Sequence, residues 1–92
     1  MSKFKPMQGS HLGDIYMFQC PGCGYDHWVR EEGVPSWQIE GIENNRPTVS
    51  PSILVRGQYI CHSFVKEGRI QFLQDSTHNL SGKTVDLPEY EE

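Results

Sequence analysis

Short runs rich in β-branched and aromatic residues, set between turn signals, recur along this chain, a pattern that predicts a small antiparallel sheet built from hairpins. Nine glycines and six prolines leave almost no stretch of about 12 residues free for an uninterrupted helix. Strands are expected at about 14–19, 27–30, 37–42, 48–55, 59–65 and 69–73. The last two form the best-defined piece. Gly68 sits where a three-residue hairpin loop with a G1 bulge needs its left-handed residue, and pairing Val65 with Arg69 then puts Ile60, Phe64, Ile70 and Phe72 on one face. A two-residue Glu67-Gly68 turn would split those four between faces, so the bulged form is expected. It sets His62 among apolar side chains and Cys61 on the opposite face, beside Leu73. Phe64→Ala and Phe72→Ala are then each expected to cost about 3–5 kcal/mol.

Between the halves, Arg46-Pro47-Thr48-Val49-Ser50-Pro51-Ser52 carries two prolines and reads as an edge segment, because proline cannot donate to a ladder. The 92 residues make one small β domain, residues 1–92, with adaptable ends at 1–12 and 88–92. Composition makes that domain marginal. Only 36% of residues are hydrophobic, and a chain this short hides roughly 60–65% of its unfolded surface, so an added staple is required.

Cys20-Pro21-Gly22-Cys23-Gly24 supplies one. A two-residue spacer lets two thiolates reach one tetrahedral ion, while the glycines let backbone N–H groups turn toward sulfur. A redox dithiol would place its nucleophilic sulfur at a helix N-terminus, and Gly24-Tyr25-Asp26-His27 does not resemble a helix start. A closed structural site needs two further ligands. Cys61 is the one remaining cysteine, and the fourth donor must come from His11, His27, His62 or His78. On a regular strand His62 points away from Cys61's face, whereas His78, in Asp75-Ser76-Thr77-His78, can curl back toward it. The expected metal set is therefore Cys20, Cys23, Cys61 and His78 around structural Zn²⁺, a zinc-ribbon-like staple, with His62 in reserve. His27 reads as a surface residue beside the knuckle and His11 as solvent-facing; Trp28 and Trp37 read as covers for the metal loop.

Charge and targeting narrow the setting. Eight Lys and Arg against twelve Asp and Glu give −4, which offers no basic field for phosphates. Three cysteines, an odd number, suit a reducing compartment with metal-bound thiolates, and the cytoplasm is expected. The start shows no apolar signal segment, and no run of about 18 apolar residues follows.

Taken together, Cys-Pro-Gly-Cys-Gly, Arg46-Pro47-Thr48, Ser50-Pro51-Ser52, Cys61-His62-Ser63-Phe64-Val65, Gly68-Arg69-Ile70-Gln71-Phe72-Leu73, Asp75, His78 and Leu80-Ser81-Gly82 resemble a family of short phage and prophage proteins. Members often carry the label ammonia monooxygenase, which a 92-residue acidic chain without a membrane span does not support. The resemblance covers about residues 11–88. In that family the position of Ser76 is often cysteine, a donor absent here. The resemblance implies phage origin and an accessory role in the host cytoplasm.

Three functions follow as expectations. The leading one is a zinc-stapled module that binds a host or phage protein, inhibiting an enzyme or defence component. The second is a zinc-dependent hydrolase using His62, Asp75 and His78 around an open metal position. The third is a nucleic-acid module, which requires Arg30, Arg46, Arg56, Lys66 and Arg69 to converge.

Overall fold

The computed structural model describes residues 2–10, 13–33 and 35–91, and among these the chain contains strands and turns but no helix. The strands lie in two antiparallel sheets. In the first, β1 (Lys5–Ser10), β2 (Gly13–Gln19) and β3 (Asp26–Arg30) follow chain order. The second runs β4 (Gln38–Glu40), β5 (Thr48–Arg56), β6 (Ile60–Lys66), β7 (Arg69–Phe72) and β8 (Thr84–Asp86). Each of the six expected runs corresponds to a strand from β2 to β7. β1 and β8 are additions, short or polar segments recruited by their partners: Lys5 pairs with Met17, and Ile70 with Val85. His11 lies outside the described residues.

The β6–β7 hairpin takes the tighter of the two alternatives. Lys66 pairs with Arg69 and Val65 with Ile70 across a two-residue Glu67-Gly68 turn, not the three-residue loop the sequence favours. Both turn residues have positive φ, 50° and 81°, as a type I′ turn requires. Glutamate in that region costs about 1–3 kcal/mol, and contacts from outside the hairpin offset it. The Glu67 N–H donates to Thr48 Oγ1 at 2.9 Å, and the Gly68 N–H donates to the Pro47 carbonyl at 2.9 Å. The four apolar residues are consequently split. Ile70 and Phe72 are buried, while Ile60 and Phe64 are 39% and 42% exposed.

β6 thus has two unlike faces. Cys61, Ser63 and Val65 point into the core; Ile60, His62, Phe64 and Lys66 line the outer side. Its pairing with β5 is irregular. Between the Val49–Val65 and Ile53–Ser63 pairs, β5 spends four residue steps where β6 spends two, so Ser50-Pro51-Ser52 bulges from the ladder. The Ser50–Pro51 peptide bond is cis.

Phe18 and Val29 from the first sheet, with Phe4 just before β1, meet Val49, Ile53, Val65, Ile70 and Phe72 from the second, with Leu87 just after β8, in one core. Phe4 stacks on Phe18 with centroids 5.1 Å apart. This core separates the two phenylalanines of the hairpin. Phe72→Ala, at 1% exposure, is expected to cost about 3–5 kcal/mol. Phe64→Ala should cost clearly less, about 1 kcal/mol, because its side chain is already substantially exposed to water. Denaturant unfolding of the two variants checks the contrast, and equal losses would contradict the register.

Candidate functional site

Two groups of chemically capable side chains lie back to back on β6. The first is assembled at the junction of the sheets. The Cys20–Cys23 loop connects β2 to β3 and is closed by backbone bonds from Gly24 N–H to the Cys20 carbonyl and from Cys20 N–H to the Tyr25 carbonyl, both 3.1 Å. It presents Cys20 and Cys23; His27 follows on β3, and Cys61 arrives from β6. Cys20 Sγ is 3.6 Å from Cys61 Sγ, and Cys23 Sγ is 3.3 Å from His27 Nε2. All four ligand atoms lie within 4.8 Å of one another. Four donors at Zn–S distances of about 2.3 Å and Zn–N of about 2.0 Å stand roughly 3.5–3.8 Å apart in a tetrahedron. The group is therefore close enough, and of the right chemistry, to hold a metal ion such as zinc. Cys20, His27 and Cys61 are buried, as a closed structural site demands.

The three thiols stand in unequal surroundings. A hydrogen bond from Cys61 holds the Cys20 thiol well below its usual range, against burial and with help from His27. The same bond, followed by burial, pushes Cys61 up. Burial also raises Cys23. An ion held by all three sulfurs would displace these protons and remove the inequality.

His27 joins this group although the sequence reads it as a surface residue. It is 3% exposed and meets Phe18 edge-on at 5.5 Å. His78 occupies a different position. Its ring meets Phe72 edge-on at 4.5 Å, and its Nδ1 accepts the Leu80 N–H at 3.3 Å. Nε2 is buried without a hydrogen-bond partner. A Cβ on Gly22 would come within 2.4 Å of this ring, so the knuckle glycine lets the loop rest on His78. His78 thus supports the metal loop from beneath, while His27 stands among the thiols.

The second group lies on the outer face. Ser52 Oγ and His62 Nε2 are 3.0 Å apart. On its other side, His62 Nδ1 is 2.9 Å from Asp75 Oδ2 and 3.2 Å from Oδ1. With Nδ1–H donating to the carboxylate, Nε2 is the acceptor for the serine hydroxyl. This is the connectivity of a Ser-His-Asp triad. Each member is held by backbone. The β5 bulge lifts Ser52 toward β6, and Trp37 Nε1 donates to the Ser52 carbonyl at 3.2 Å. Ser76, next to Asp75, accepts the His62 N–H and donates to the His62 carbonyl, both at 3.0 Å. Thr77 N–H donates to the Ile60 carbonyl at 2.9 Å. The 73–77 segment therefore runs pinned along β6 and delivers the carboxylate to the imidazole.

With serine, histidine and aspartate in this order, the comparison with known families becomes specific. The sequence matches the family model described as "Bacterial ubiquitination-like system serine protease (BubE)" over residues 3–73, about three quarters of the chain. The chain belongs to the BubE family. The BubE match takes in Ser52, His62 and all four Cys/His donors, and stops two residues before Asp75. No curated protein and no solved structure matches the chain. No helix among the described residues is long and apolar enough to cross a membrane.

Of the hydrolase trio expected from the sequence, His62 and Asp75 do come together, but around Ser52 and on the far side of β6 from the thiols. Ser52 carried no local signal beyond its place in Ser50-Pro51-Ser52. His27 did carry one: Cys20-x2-Cys23-x3-His27 puts a third donor within the knuckle's own hairpin. Trp28 is 43% exposed, meeting Trp37 edge-on at 6.2 Å, with the Arg30 guanidinium 5.2 Å from its ring centroid.

Proposed function

We propose that this protein is a serine peptidase of a bacterial ubiquitination-like system, with Ser52 as nucleophile, His62 as general base and acid, and Asp75 as the residue that positions His62. The observation that carries this reading is the continuous chain of contacts from Ser52 Oγ through both nitrogens of His62 to Asp75. The Cys20, Cys23, His27 and Cys61 group would hold structural zinc, remote from the chemistry. Its role would be to join the sheets and keep β6 in place, since Cys61 and His62 are adjacent on that strand. The protein partner expected from the sequence is then the substrate, and occlusion of a host factor gives way to cleavage. A phage-encoded peptidase, as the sequence resemblance implies, would act in the host cytoplasm.

The chemistry follows from the donors. Ser52 Oγ attacks the amide carbonyl carbon while His62 Nε2 takes the hydroxyl proton, and the imidazolium passes that proton to the departing amine nitrogen. The C–N bond breaks, and an ester to Ser52 remains. Water, deprotonated by the same Nε2, hydrolyses the ester and restores the serine. Asp75 fixes the tautomer and stabilises the imidazolium. Its side chain is 60% exposed, so solvent screens part of that stabilisation.

A fluorophosphonate probe tests the reading directly. Mass spectrometry should find one adduct on Ser52 in the metal-loaded protein and none in Ser52→Ala; an unmodified Ser52 in folded protein would refute it. Asp75→Asn should lower kcat about 100–1,000-fold, less than a fully buried triad aspartate, with zinc content unchanged. A pH–rate profile should change shape in that variant, which simple loosening of the 73–77 segment would not produce.

A further inference from the structure

The outer face of the second sheet does not end at the triad. A cavity of about 610 Å³ opens beside it, bordered by Ser50 on the β5 bulge and by Phe64 and Lys66 on β6. That size is typical of a ligand pocket. Phe64 is the next outward-facing residue after His62, roughly 7 Å along the strand, and Lys66 the next again, roughly 13 Å away. Gln71 stands opposite Phe64, and Arg69 opposite Lys66. The cavity therefore lies on the same face of the sheet as His62, beside the triad, and extends from Ser50 and Phe64 toward the β6–β7 turn as a groove.

Its charge is opposite to that of the protein. Arg46, Lys66 and Arg69 line it with a single anion, Glu67, a formal +2 in a chain of −4. Arg69 shares its charge with Asp86 at 3.2 Å, but both side chains are mostly in water, 58% and 80% exposed, where such a pair is weak. Arg46 and Lys66 make no ion pair among the described residues. Nearer the triad the lining is apolar. Phe64, the lining residue nearest His62 on β6, is exposed.

We propose that this groove is the substrate-recognition surface of the peptidase and takes an extended peptide with an apolar residue about two positions from the cut bond and acidic residues about four positions from it. The spacing follows from about 3.3 Å per extended residue set against the Phe64 and Lys66 positions. Charge complementarity of this kind sets encounter and register more than overall affinity. The proposal rests on the peptidase reading, because the groove gains its meaning from the triad beside it.

Protection of Ser52 from the fluorophosphonate probe separates the two claims. Two synthetic decapeptides of identical apolar sequence, one with paired glutamates and one with paired lysines, are incubated with the metal-loaded protein before labelling. The glutamate peptide should slow labelling about fivefold or more at a concentration where the lysine peptide has no effect, and about 1 M salt should erase the difference. In Arg46→Glu/Lys66→Glu the preference should reverse. Equal protection by both peptides, or a double variant that still favours glutamate, would overturn the groove while leaving the triad standing. Failure of the probe to label Ser52 in folded wild-type protein would overturn both.

Discussion

Replacing Ser52 by alanine is expected to lower kcat for peptide hydrolysis by about 10,000-fold or more, with zinc content and thermal unfolding close to those of the wild type. The loss is large because the remaining groups have no nucleophile to activate. Stability should be little affected, because Ser52 is only partly buried and its backbone carbonyl, held by Trp37, remains. His62→Ala should be similarly inactive. The decisive case is the double variant. Side chains that act as one unit are strongly non-additive, so Ser52→Ala/His62→Ala should be no worse than either single change. Two multiplicative losses would mean that Ser52 and His62 act separately, and that their 3.0 Å approach is incidental.

The second large effect concerns the thiol group. Removing the metal with a strong chelator, or changing Cys61 to serine, is expected to unfold the chain. Metal binding by small structural sites contributes about 10–16 kcal/mol, as much as the entire stability of a domain this size, about 5–15 kcal/mol. Peptidase activity and Ser52 labelling should vanish together with the near-native circular dichroism. His27→Ala should lose metal, whereas His78→Ala should keep close to one equivalent, although packed less firmly against Gly22 and Phe72. Cobalt substitution separates a structural ion from a catalytic one. The Co²⁺ protein should show thiolate-to-metal charge transfer in a tetrahedral field and hydrolyse peptides at the zinc rate, because no step of the chemistry passes through the ion. A rate that changes with the metal would place the ion in the mechanism.

The two expectations share one strand. Cys61 and His62 are consecutive, and the alternation of a β-strand sends the first inward to the thiols and the second outward to Ser52. A metal that only fixed Cys61 would therefore also fix the backbone from which His62 projects. In the peptidase reading, the ion would lend rigidity this way without standing at the reacting carbonyl.

Local spacing was legible from the sequence wherever chemistry and turn formation lie within a few residues. Cys20-x2-Cys23 pointed to two donors of a Cys/His group able to hold a metal, the density of glycine and proline disfavoured helices, and the β-branched runs located β2 to β7 to within about two residues. The opposition of Cys61 and His62 was equally readable, because side-chain alternation does not depend on register. The tertiary structure alone decided which partners those residues meet. The Glu67-Gly68 turn was chosen by hydrogen bonds that its N–H groups donate to Thr48 Oγ1 and the Pro47 carbonyl, about twenty residues upstream, which hold a glutamate at positive φ that local preference disfavours. That choice moved Phe64 from the core to the groove. Ser52, His62 and Asp75 are separated by ten and thirteen residues, with no fixed spacing for a motif to record. They converge because β5 bulges opposite β6 and because Ser76 and Thr77 bind the return segment to the same strand. Pairing energy is spread over many backbone groups and is blind to which side chains it brings together. The triad is therefore a property of register and bulge, written into the sequence only through the fold that selects them.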